Sequence, residues 1–192
     1  MALRVPKAAL TAEMSENMIK RLGAVPEPVE VMWNSPQLAL DSLEFGAKLG
    51  AWDSADESLK SFAHMAVAAQ VGCSFCLDIA YFQAHGHNLD MAKASQVPRW
   101  RKSDVFTPLE RDVLEYAEAM TNTPPTVTDE LSARLLDRLG PAALVELTVV
   151  VAFSNFATRS NVALGIESQG FSASCGTDLA DRPEEPDVAR TA

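Results

Sequence analysis

The chain has 192 residues, enough for one domain with a sizeable core. Its formal net charge of −10 excludes the basic face that nucleic-acid binding wants and disfavours docking on anionic lipid. Apolar residues make up 47% and charged residues 22%, ordinary for a soluble globular protein, and three cysteines fit no disulfide framework because the number is odd.

Residues 1–14 show no long apolar run after their basic residues, so no signal peptide is expected and the cytoplasm is the default compartment. Disulfides there are seldom structural and more often catalytic or sensing. Met14, Met18, Ile19 and Leu22 recur at helical spacing, and Gly23 stops the run. Residues 25–36 hold Pro26, Pro28 and Pro36 and read as a connector. Ser35-Pro36 has the form of an N-cap followed by a first-turn proline. The helix it opens carries Leu40, Leu43 and Ala47 on one face and closes at Gly50. Ser54 and Glu57 have capping-box spacing. The next helix buries Leu59, Phe62, Ala63, Ala66 and Val67, with Ser61, His64, Met65 and Ala68 on its other face. Val71-Gly72 interrupts it, and a new helix is predicted from near Cys73 to about His85, stopped by Gly86. Asn88 is placed to cap a short helix over residues 89–95.

Residues 98–106 read as a polar loop. Thr107, Pro108 and Glu110 combine a capping box with a first-turn proline, ahead of a stripe of Val113, Leu114, Ala117 and Met120. A proline-rich break at 123–128 precedes a helix over 129–139, and Gly140-Pro141 opens a long last helix to about Leu164. That helix is apolar around much of its circumference over 144–156, which predicts a place at the bundle centre or in a subunit interface. Its longest apolar stretch, 142–153, is interrupted by Glu146 and Thr148 and falls short of the ~20 residues of a membrane span. No membrane association is expected. No alternating strand pattern occurs. The prediction is an all-α, single-domain helical bundle of about seven or eight helices over residues 1–170. An acidic, loosely ordered tail over 171–192 is expected to carry a solvent-facing Cys175.

The chemistry concentrates in VGCSFCLDIAYFQAHGH, residues 71–87. Cysteines at i and i+3 lie one turn apart on one helix face. Gly72 puts Cys73 at a helix start, where free amides and the helix dipole favour a thiolate. Cys76 is then the resolving thiol of a reversible pair. Two other readings stand beside this one: a pair of buried thiols acting as small hydrophobes, and a metal clip with His85 and His87. The clip needs one ion to reach His85, nine residues beyond Cys76 and about 13 Å along a continuous helix, so no metal is expected.

GCSFC after an Ala-rich helix, then FTPLERDVLEYAEAMT, VTDELSARL and LVELTVVVAFSNFATRSNVALGI, resembles the alkyl hydroperoxidase D-like branch of the carboxymuconolactone decarboxylase superfamily over about residues 29–171. The resemblance implies an all-helical fold, no bound cofactor, and subunits packed through large helical interfaces, commonly as trimers or hexamers. It implies a thiol peroxidase or disulfide reductase-like antioxidant protein. Such a protein works on a small hydroperoxide or disulfide with Cys73 and Cys76 and is recharged by a thiol reductant protein. It also implies a proton relay: a glutamate twelve residues before the first cysteine, a histidine just before the second and another four after it. Those positions hold Ser61, Phe75 and Ala80. The candidate substitutes are His64, one turn beyond Ser61, Asp78, about 140° around the helix from Cys73, and Tyr81 as a proton donor. Arg159 shares a face with Asn155 and, if buried, needs Glu146 or Asp78 as partner. The alternatives are a cofactor-free lyase on a small carboxylated lactone, using Arg159 and His64, and a non-catalytic oligomeric redox-sensing protein.

Overall fold

Six of the eight described α-helices begin where a side chain offers an acceptor to the free amides of the first turn, and the other two begin at prolines. The computed structural model describes residues 3–175. Among these there are eight α-helices and no strand: α1 (Ala12–Leu22), α2 (Glu27–Met32), α3 (Pro36–Ala51), α4 (Glu57–Val71), α5 (Ser74–Gly86), α6 (Met91–Ala94), α7 (Pro108–Thr121) and α8 (Asp129–Leu164). Thr107 and Glu110 form the expected capping box at the start of α7. Thr11 and Thr128 cap α1 and α8 through their hydroxyls. The boundary expected at Gly140-Pro141 is a break inside α8, with Gly140 at φ 76° and ψ 169°, a conformation that needs glycine.

Several local expectations are corrected. The connector at 25–36 contains α2, because Pro26 and Pro28 sit at its N-cap and first turn, where a missing N–H costs nothing. The Ser54–Glu57 capping box does not form. Asp56 is the N-cap of α4, accepting from the Ser58 N–H, while the Ser54 N–H goes to Glu146. Asn88 takes φ 57° and caps nothing; Asp90 caps α6 through the Lys93 N–H. The loop at 98–106 contains a 3-10 helix, Val97–Lys102, held by the Trp100 Nε1–H donating to Glu118 at 2.9 Å.

The central helix is α4, not α8. Met65 and Ala68, expected away from the core, are buried with Phe62, Ala63, Ala66 and Val67, because α5, α7 and α8 all pack on α4. α8 presses Leu147, Val151 and Thr158 onto the core and leaves Val145 and Phe156 exposed at 64% and 46%. By length and composition it could cross a membrane, yet it lies along α4 and α7 with Glu146 ion-paired at mid-helix. Residues 171–175, assigned to the tail by the sequence, form a second 3-10 helix on α5. Cys175 is buried there rather than facing solvent, because Phe171 inserts against Phe75 and Phe82 and draws the segment inward. The rest of the expected tail lies outside the described residues.

Candidate functional site

Gly72 ends α4 in the left-handed region, at φ 78°, and turns the chain directly into α5. Cys73 becomes the N-cap of α5, and its Sγ accepts the Cys76 N–H at 3.2 Å. Cys73 and Cys76 are joined by a disulfide. The Asn161 amide of α8 donates to the Cys76 Sγ at 3.3 Å. This contact was missed from sequence; its one signal was a polar side chain on a largely apolar helix. Both cysteines are buried, Cys73 at 1% and Cys76 at 3% exposure, in a small apolar cluster with Phe75, Ile166 and Phe171.

Ile166 and Phe171 in that cluster belong to residues 166–172, a strap that follows α8, and Val31 of α2 packs there with them. Asp78, one turn into α5, fastens the strap. The carboxylate accepts the Ser168 hydroxyl at 2.8 Å and the backbone N–H groups of Gln169 (3.2 Å), Gly170 (2.8 Å), Phe171 (3.0 Å) and Ser172 (2.6 Å). Ser74 adds an acceptor for the Ser168 N–H. Burial alone would raise the Asp78 pKa. The bonds from Ser172, Ser168 and Phe171 outweigh it and hold the carboxyl below its usual range. Among the described residues no hydrogen bond joins Asp78 to either sulfur, and its lone pairs are committed to the strap.

His64 lies elsewhere. It lines a cavity of about 390 Å³ walled by α3, α4, α5 and α8. Its Nδ1 is 2.8 Å from the Ser154 Oγ. Burial pushes its pKa down to about 4, so the ring is neutral near pH 7. Ser61 and Ala80, two of the three positions where the resemblance places relay groups, line the same cavity. The third, Phe75, sits in the apolar cluster around the sulfurs. Neither cysteine lines this cavity. Tyr81 is fully buried in the main core rather than in the cluster around the cysteines.

Arg159 does not pair with Glu146 or Asp78. It is exposed and donates to the Asn155 side chain at 3.1 Å and the Thr121 carbonyl at 2.6 Å. Glu146 is taken by Lys60, at 2.9 Å in a largely buried ion pair that holds the carboxylate ionised against its burial. Arg159 lines a different cleft, of about 560 Å³, so it and His64 do not converge. His85 is exposed, and His87 faces Glu57 at 2.6 Å. Among the described residues no group of three or more His, Cys, Asp or Glu is placed to hold a metal ion.

No family model matches the chain. The protein YnjA of Escherichia coli K12 is 37% identical over 115 residues, which is 60% of this chain and 63% of YnjA. The match therefore spans less than two thirds of that relative. Among solved structures, a cysteine-to-alanine variant of the debrominase Bmp8 in complex with 2,3,4-tribromopyrrole superposes with a TM-score of 0.78. The identity is 19%, covering 91% of this chain and 96% of the other. A peroxidase-related protein from Ralstonia eutropha JMP134, described as an alkylhydroperoxidase AhpD core, superposes at 0.76 with 17% identity, covering 88% and 94%. The fold of this chain is the AhpD-like helical fold.

Because one carboxylate takes five of the strap's hydrogen bonds, Asp78→Ala removes all five at once. Each 1.4 kcal/mol taken from the closed state is worth about tenfold in exposure of what lies beneath, and the lost charge-assisted bonds exceed that. In the reduced protein, alkylation of Cys73 and Cys76 by a small maleimide is expected to be at least about tenfold faster in this variant than in the parent. Equal rates would show that the strap does not control access.

Proposed function

We propose that the protein is a thiol-dependent oxidoreductase, a peroxidase or disulfide reductase of alkyl hydroperoxidase D type, that cycles between the Cys73–Cys76 disulfide and the dithiol. The observation that carries this reading is the disulfide at the N-cap of α5, with the Cys76 N–H aimed at the Cys73 Sγ. In the reduced state that N–H and the positive end of α5 stabilise a thiolate on Cys73.

The cycle balances as follows. The Cys73 thiolate attacks the terminal oxygen of a hydroperoxide; an S–O bond forms, the O–O bond breaks and the alkoxide leaves as the alcohol after taking a proton. Cys76 then attacks the Cys73 sulfur, forming the S–S bond and expelling hydroxide, which leaves as water. An external dithiol, carried by a reductant protein, reduces the disulfide and is itself oxidised. Attack on a disulfide substrate follows the same order with a thiol leaving. Of the three candidate proton-transfer groups, Tyr81 is sealed in the core, Asp78 is occupied by the strap and His64 lines a separate cavity, so the leaving alkoxide takes its proton from solvent admitted when the strap opens. The reading requires the strap to open, because both sulfurs are covered. No bound cofactor is involved, and the compartment is the cytoplasm.

Burial of both sulfurs favours a second reading, a redox sensor whose disulfide state changes strap and assembly without turnover. The lactone lyase is less well supported, because the arginine and histidine it would use line separate cavities. For assembly we propose a homo-oligomer, a trimer or hexamer, joined through the outer faces of α3 and α8. There Phe45, Trp52, Phe153 and Phe156 form a chain of ring contacts with centroids 5.3 to 6.3 Å apart, and Phe45, Trp52 and Phe156 are exposed.

Two outcomes follow. With cumene hydroperoxide and a dithiol as reductant, Cys73→Ser is expected to reduce peroxide consumption to the uncatalysed background; a rate equal to the parent's would sink the peroxidase. In analytical ultracentrifugation, Phe156→Asp is expected to shift the protein to a smaller species without loss of helical content. A parent that sediments as a monomer would end the oligomer proposal.

A further inference from the structure

His64 makes two demands on its surroundings that fix its proton. The Ser154 hydroxyl lies 2.8 Å from the His64 Nδ1 and 2.8 Å from the Val150 carbonyl. A carbonyl accepts only, so satisfying both contacts requires Ser154 to donate to Val150 and His64 to donate from Nδ1. The Nε2 is then an acceptor, and no hydrogen bond is made to it among the described residues. Burial keeps the ring neutral, which preserves that lone pair near pH 7.

The cavity around it combines apolar and small groups with the polar side chains of Glu57, Lys60, Gln83 and His87. Leu49, Phe153, Ala80 and Ala84 form its apolar walls, and Gly46 leaves room beside Phe153, whose ring is 3.6 Å from where a Cβ on that glycine would stand. Its volume, about 390 Å³, falls in the range of small-molecule sites. The Lys60 ammonium is taken by Glu146 and the Trp52 carbonyl, and the His87 ring lies 2.6 Å from the Glu57 carboxylate. An anionic ligand would find no uncommitted cation there.

We infer that this cavity binds a small uncharged molecule with a single-ring apolar body and one O–H or N–H donor, the ring lying against Phe153 and the donor given to His64 Nε2. The site stands apart from the thiol chemistry, because neither sulfur lines it.

The test is a 19F NMR titration of the full chain with 4-fluorophenol, 4-fluoroanisole and 4-fluorobenzoate near pH 7, in both oxidised and reduced protein. 4-Fluorophenol is expected to bind in both states, and 4-fluoroanisole, which lacks the donor, about tenfold more weakly. 4-Fluorobenzoate is expected not to bind. His64→Phe should erase the preference for phenol over anisole. Gly46→Leu, which fills the cavity from a helical position, should remove binding with the circular dichroism spectrum unchanged. Binding that survives Gly46→Leu, a phenol-to-anisole ratio near one in the parent, benzoate binding as tightly as the phenol, or no binding of the phenol would each overturn the inference. Since binding is read without turnover, inert thiols would leave this result standing, and a failed titration would leave the redox proposal intact.

Discussion

The Asp78 carboxylate organises one end of this molecule. It sits in the first turns of α5 and gathers five donors from residues 168–172, about ninety positions along the chain. A buried carboxylate is costly unless its lone pairs are filled, and here they are filled by backbone that would otherwise lack partners. The same closure lays Ile166 and Phe171 over Cys73 and Cys76 and brings Cys175 into the core. The disulfide's helix start, its burial and the path of the chain after α8 are therefore one arrangement. Under the proposed redox cycle, thiol exchange at Cys73 would be coupled to a local opening that this carboxylate opposes.

On the other side of α4 and α5 the fold places a different kind of chemistry. α4 is buried nearly all round, and its residues Lys60 and His64 reach α8 to meet Glu146 and Ser154. The first contact neutralises a charge inside the bundle; the second selects a tautomer. Ser61 and Ala80 are too short to fill the space between the helices, and a cavity results. Where the resemblance implied a glutamate and a histidine, the chain has room and a single neutral imidazole one turn away. The small side chains that remove the expected relay are thus the ones that open the pocket.

Much of the helical framework was legible because local chemistry determines it. Thr107 with Glu110, Gly72 before Cys73, and Gly140 before Pro141 act within a few residues, and each marks a boundary where expected. Cys73 at the helix start was legible for the same reason. Errors came where a nearby residue had a distant competitor. The Ser54–Glu57 box loses its return bond because the Ser54 N–H is claimed by Glu146, 92 positions away, and Asp56 caps the helix instead. The composition of residues 171–175 suggested a loose tail, and tertiary contacts from Asp78, Phe75 and Phe82 overrode it. Asp78 itself was read as a candidate for proton transfer because no sequence pattern announces a carboxylate whose partners are five donors in a remote strap. The Asn161 contact to Cys76 and the separation of Arg159 from His64 likewise depend on how α8 lies against α4, α5 and α7, which periodicity does not specify.

The central claim is that Cys73 and Cys76 are a working redox pair beneath a strap that opens. Its most direct test is a time course on the reduced protein. One equivalent of cumene hydroperoxide is added, the reaction is quenched with an alkylating agent at set intervals, and the oxidised thiols are mapped by peptide mass spectrometry. The account predicts transient oxidation at Cys73, then a Cys73–Cys76 disulfide that a dithiol reverses. Thiols that stay reduced throughout, and that alkylate only after unfolding, would contradict it and make the two cysteines part of the core.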